Sequence, residues 1–245
     1  MRPLIIALQC LFLTACSSAA EPQRANASTN LVQGIAAYNR GDFQVAYKLL
    51  RAAADRGEPE AMVNLGYMYA RGHGTASDPA FALQLYRRAA DAGDAEAMNA
   101  VGFRYNFAPI PDLDQAIHWY CLAVLHGNSR AMNNLGLLVA RGQGVLRNQA
   151  EARNLWRQAA QRGNVNAQTN LALDLMRAPT QAERLEGLKT LRDAAMHGGM
   201  AAQNYLWSRG DYEPMPPASF SELTMRLEPH DPAPGTSSVC AKIVS

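Results

Sequence analysis

Three side chains able to hold a transition metal stand close together in mid-chain: His118, Cys121 and His126. In a helix His118 and Cys121 share a face, but His126 is five residues further on and falls off it. His126 also takes the place that Arg56, Arg162 and His197 hold in comparable stretches, where a cation complements the end of a helix. The spacing therefore predicts no metal site. No catalytic set forms either. Gly-x-Ser-x-Gly and His-Glu-x2-His are absent from the sequence, Gly72-x-Gly74 lacks the strand and lysine of a phosphate loop, and no serine has a defensible His-Asp partnership. Neither an enzyme nor a cofactor is expected. Sulfur chemistry remains: Cys121 falls where Arg87 and Arg157 stand in other copies, an accessible place, and Cys240 lies near the C-terminus. A disulfide between them, two free thiols, or a bond to another molecule are the open outcomes.

The elements that would position these residues repeat. Glycines at 57, 93, 127, 163 and 198 are each followed four residues later by alanine, at 61, 97, 131, 167 and 202. A small pair precedes each glycine, and a bulky residue stands three before the pair: Leu50, Tyr86, Tyr120, Trp156 and Leu191. A period of 34 to 36 residues is that of a helical repeat array. Each unit reads as two helices. The first carries Ala61, Leu65, Gly66 and Tyr69 on one face and the second Ala82, Tyr86, Ala89 and Ala90. Asp78-Pro79, Asp94, Asn128, Asn148 and Asn164 suit helix starts, Thr180 to Glu183 has capping-box spacing, and the periodic glycines suit helix stops.

The stretch Ala61 to Gly93, Ala-x3-Leu-Gly-x2-Tyr-x2-Gly-x-Gly-x3-Asp-x3-Ala-x3-Tyr-x2-Ala-Ala-x2-Gly, resembles the Sel1-like repeat, a relative of the tetratricopeptide repeat. Gly142, Gly144, Asn148, Ala152, Trp156, Ala159, Ala160 and Gly163 match it nearly as well. The first unit departs in a shorter loop, Gly41 to Ala46, and the third in Phe107-Ala108-Pro109-Ile110-Pro111. The resemblance implies an all-α fold, a right-handed α-solenoid of stacked antiparallel helix pairs over about residues 31–208, whose first helices line a concave surface that binds another protein. On those first helices Tyr67, Phe103, Leu137 and Leu173 align from copy to copy. They read as a stripe receiving a partner peptide or helix, or else as packing between repeats. Arg40, Arg71, Arg141 and Arg177 recur at the end of the first helix, complementing its dipole or clamping partner carboxylates. A cysteine-rich branch of these repeats has been linked with β-lactam binding and hydrolysis, which makes a cell-wall or β-lactam hydrolase the enzyme alternative. This chain lacks that branch's paired cysteines. A third reading is an exopolysaccharide-export or secretion assembly factor.

At the amino terminus Arg2 precedes an apolar stretch, Leu4 to Ala15, that is too short to span a bilayer and ends Leu13-Thr14-Ala15-Cys16. It resembles a bacterial lipoprotein signal peptide. The resemblance implies cleavage after residue 15, lipid on the Cys16 sulfur, and a palmitate-class anchor at the cell envelope. Ser17 favours an outer membrane, with the protein facing the periplasm. Residues 16–30 read as a flexible tether and 209–245 as a proline-rich tail that caps the last repeat or occupies its groove, with Val239 to Val244 extended.

Composition agrees. Of 245 residues 48% are hydrophobic, 18% charged and 7% aromatic, with a formal net charge of +2 and no basic block to neutralise phosphates, which argues against a nucleic-acid partner. The 43 alanines favour helix and close helix approach.

Overall fold

Side-chain capping sets where the helices begin. Asp78 Oδ1 accepts from Phe81 N at 2.9 Å, Asp94 Oδ1 from Ala97 N at 2.7 Å, Asn128 Oδ1 from Ala131 N at 2.8 Å and Asn164 Oδ1 from Ala167 N at 2.9 Å. Each satisfies an amide that the helix itself leaves without an acceptor. Thr180 does the same for Glu183 N, and its hydroxyl donates in turn to the Glu183 carboxylate at 2.6 Å. Gly93 and Gly127, with φ of 90° and 81°, make the left-handed turn after a second helix that a side chain would strain.

The computed structural model describes residues 21–209 and 237–243, and among them the ordered backbone is helix without strand. The chain divides into two compact units, Met1–Ala92 and Gly93–Ser245. In the first, α1 (Glu21–Asn39) packs on α2 (Phe43–Ala54) and α3 (Pro59–Arg71) on α4 (Pro79–Asp91), with α2 against α3 between the pairs. The second contains the pairs α5 (Ala95–Asn106) with α6 (Leu113–Leu125), α7 (Ser129–Arg141) with α8 (Gln149–Gln161), and α9 (Val165–Leu175) with α10 (Gln181–Met196). α11 (Met200–Ser208) packs on α9 and α10, and α12 (Ser238–Ile243) on α6. The all-α class built from consecutive helix pairs is the one expected from the repeat.

Within a pair, one contact recurs. A methyl group built on Gly66 would lie 2.5 Å from the Tyr86 ring, one on Gly102 2.8 Å from Tyr120, and one on Gly136 2.5 Å from Trp156. The glycine of Leu-Gly is thus the seat of the bulky residue of the second helix. Gly34 and Leu50 repeat the arrangement in the α1–α2 pair. In α9 the glycine is Ala172 and its counterpart on α10 shrinks to Leu191; both are fully buried in one core cluster. Volume lost on one helix is regained on the other, which keeps the interior close-packed.

Two expectations about the ends change. α1 reaches back to Glu21, so residues 21–30, read as tether, are helical; Pro22 suits a first turn, and Gln23, Arg24, Ala25 and Ala27 are good helix formers. The segment expected to be extended near Val239 is α12. Its first amide, Ser238 N, donates to Glu151 Oε1 at 3.1 Å, Ser237 Oγ donates to the same oxygen, and Cys240 is joined to Cys121. These tertiary ties outweigh the strand preference of valine and isoleucine. The signal-peptide stretch, Cys16 and residues 210–236 lie outside the described residues.

Candidate protein-binding site

The aligned residues of the expected stripe have different surroundings. In the first unit the Tyr67 ring meets Tyr86 edge-on at 5.5 Å, within its own pair, and Arg71 is exposed in the last turn of α3. Arg40 is spent on Asp42 at 3.1 Å. In the second unit Phe103 is 45% exposed and stacks on Phe107 at 4.4 Å, Leu137 is half-buried, and Arg141 is exposed at the end of α7. Leu173 and Arg177, of the expected residues, come together in a recess.

That recess, about 450 Å³, is lined by Leu173 of α9, Met176 and Arg177 of the turn after it, Gln181, Arg184, Leu185 and Leu188 of α10, Tyr205 of α11, and Arg209 just beyond. Its floor is the outer edge of the last core cluster, against which Leu173, Met176, Leu188 and Tyr205 pack half-buried. Gly187 sets the depth: a side chain there would meet the Ala172 carbonyl oxygen and Met176 N at 2.8 Å, so only glycine lets α10 come this close to α9. Arginines surround the floor. Arg184 donates to the carbonyls of Ala178 and Pro179 at 3.0 and 2.6 Å, and Arg209 to the Tyr205 hydroxyl at 3.2 Å, its guanidinium 5.8 Å from that ring. Among the described residues neither Arg177 nor Arg184 is paired with a carboxylate, and no carboxylate lines the recess. The two acids that flank the turn are held elsewhere: Arg153 binds Asp174 at 2.7 Å and Glu183 at 3.2 Å. Thr180's hydroxyl, and then Arg153, hold the Glu183 carboxyl below its ordinary range. The result is an apolar hollow beside two guanidinium groups, Arg177 and Arg184, that have no carboxylate partner among the described residues.

Polar groups along the first helices of this unit are already engaged. Asn134 Nδ2 donates to Asn99 Oδ1 at 3.0 Å and Asn170 Nδ2 to Asn133 Oδ1 at 2.8 Å. Each bond joins the residue two after the repeat alanine in one pair to the residue three after it in the next. Glu96 accepts from Asn128 at 3.1 Å and from Arg130 at 2.8 Å across the same seam. Sequence reading missed this ladder, although its register was there to be seen in Asn99, Asn133, Asn134 and Asn170. It also missed Arg184, Leu188 and Tyr205, which come from helices outside the aligned stripe.

Cys121 and Cys240, 119 residues apart, form a disulfide with Cα atoms 5.0 Å apart, and both are fully buried. The exposed place expected for Cys121 is covered by α12. Cys121 is thereby removed from any set with His118 and His126, and no metal-binding group of three or more occurs among the described residues.

Comparison with known proteins places these features. The Sel1 repeat model matches residues 34–58, 59–94, 95–128 and 129–164, together more than half of the chain. The fold is similar to that of a Sel1 repeat protein from Oxalobacter formigenes, at 29% identity and TM-score 0.65, over 74% of this chain and 77% of that one. It is equally similar, at 26% identity and TM-score 0.65, to c5321, a protective antigen of uropathogenic Escherichia coli with an SLR fold; there the match covers 80% of this chain and 44% of that one, so this chain spans less than half of c5321. An immunity protein of Pseudomonas aeruginosa, Pa5087, shares the fold at 21% identity and TM-score 0.58, over 80% of this chain and 74% of that one.

Proposed function

The chain belongs to the Sel1 repeat family, whose members are generally protein-binding scaffolds rather than enzymes, and from that premise we propose that it is a lipid-anchored adaptor of the bacterial envelope. Lipid on Cys16 holds it at the outer membrane, facing the periplasm, and the first-helix side of the second unit receives another envelope or secreted protein. The observation that carries this reading is the recess at Leu173 and Arg177, where an apolar floor coincides, on a family scaffold, with Arg177 and Arg184, which have no carboxylate partner among the described residues. Such a floor with a charged border is the anatomy of a peptide-binding surface. The Cys121–Cys240 disulfide supports an oxidising compartment, since structural disulfides are rare in the cytosol.

Two measurements test it. Radiolabelled palmitate is expected in the wild-type chain and not in Cys16→Ser; label in both would remove the anchor. Affinity capture from envelopes is expected to return one defined protein, reduced in yield by Phe103→Ala, Leu137→Ala, Leu173→Ala combined. Undiminished capture by that variant would reject this face.

A further inference from the structure

We infer that the recess formed by α9, α10 and α11 recognises an acidic peptide, taking a bulky apolar side chain onto Leu173, Met176, Leu188 and Tyr205 while Arg177 and Arg184 receive flanking carboxylates. The inference rests on the adaptor reading for the identity of its natural ligand, and its chemistry comes from the recess. Four half-buried side chains of one core cluster form the floor, so an entering leucine or phenylalanine completes packing that already exists. The border is cationic. Arg184 is oriented by two carbonyl acceptors, which fix its guanidinium without neutralising it. Arg177 is exposed and has no carboxylate partner among the described residues. The local acids Asp174 and Glu183 are both bound by Arg153, which keeps them from competing for these two arginines. Guanidinium groups pair with carboxylates through two parallel hydrogen bonds, a geometry that lysine does not offer. The recess is open, which suits a peptide laid across it. A fatty acid needs a deep apolar tunnel for its chain, and about 450 Å³ bordered by three arginines and a glutamine does not supply one.

The test is fluorescence anisotropy of the purified full-length chain with a labelled peptide, Glu-Asp-Leu-Phe-Asp-Glu, and its neutral counterpart, Gln-Asn-Leu-Phe-Asn-Gln. Saturable binding of the acidic peptide is expected, at least about tenfold tighter than the neutral one and weakened by added salt. Arg177→Gln with Arg184→Gln is expected to lower affinity about tenfold or more. Leu173→Ser is expected to lower it for both peptides. Arg157→Gln, an exposed arginine of α8 outside the recess, should leave it unchanged. Melting curves keep folding out of the comparison, because Arg177 and Arg184 are exposed. Equal binding of both peptides, an equal loss in Arg157→Gln, or displacement of the peptide by oleate overturns the assignment. Envelope capture that persists in Arg177→Gln, Arg184→Gln also overturns it while leaving the adaptor reading intact. Selective peptide binding without any captured envelope protein leaves the recess assigned and defeats the adaptor reading instead.

Discussion

The α7–α8 and α9–α10 pairs perform the same packing task with different side chains. In the first, Trp156 lies on Gly136, and its indole nitrogen donates to the Asn133 carbonyl oxygen at 3.3 Å. In the second, Leu191 faces Ala172, and the close approach has moved to Gly187. The family model covers α7–α8 and ends at residue 164, before α9. The pair that departs from the consensus is also the one that holds the recess. A repeat scaffold conserves summed volume across a pair rather than any one residue, and the places where the distribution shifts are where a distinct surface can form.

The comparison is broken most severely through its aromatic member. Trp156→Ala is expected to cost about 4 kcal/mol and Leu191→Ala about 3 kcal/mol, measured by thermal or urea unfolding. Equal losses would mean that the two pairs pack alike despite the exchange. The disulfide comes next. It lies in the same unit and is expected to contribute about 3 kcal/mol, so reductant should lower the melting temperature of wild type and leave Cys121→Ser, Cys240→Ser unaffected. A wild type indifferent to reductant would show that α12 contributes little. Smaller still are the reciprocal changes: Gly136→Ala is expected to cost about 2 kcal/mol by forcing Trp156 aside, whereas Ala172→Gly costs about 1 kcal/mol through helix propensity. The reverse order would sink the volume-exchange account.

The smallest effect is a pH dependence at the start of α10. The Glu183 carboxyl is held below its ordinary value of 4.5, chiefly by the Thr180 hydroxyl. A carboxyl lowered by folding stabilises the fold above its unfolded pKa, and that contribution disappears as pH falls through the folded one. The melting temperature of Glu183→Gln should therefore fall less than that of wild type between about pH 5 and about pH 3. Parallel curves would assign the acid sensitivity to other groups.

Much of this architecture is legible in residue order because its determinants are local. Caps such as Asp94 and Asn128 act on amides three residues away, and the glycines at 57, 93, 127, 163 and 198 all adopt positive φ. The pairing of Gly66 with Tyr86 is nearly as local, one loop apart. What escapes is whatever depends on adjacency between pairs. Tyr67 and Leu173 occupy one register position, yet Tyr67 leans on Tyr86 while Leu173 borders an opening, because α11 and Gly187 reshape only the latter. Arg184 and Tyr205 join Arg177 from two further helices, a meeting no periodicity announces. The helical state of Ser238–Ile243 depends on Glu151 and Cys121, both on other elements of the unit.

The link between Cys121 and Cys240 also bears on turnover. A processive unfoldase that pulls on the chain from the C-terminal side of Cys240 meets a covalent crosslink there, and must drag a doubled strand through its pore or stall. A thiol reductant would ease removal of the protein from that side, and its lifetime would follow the redox poise of its surroundings as well as the stability of its helices.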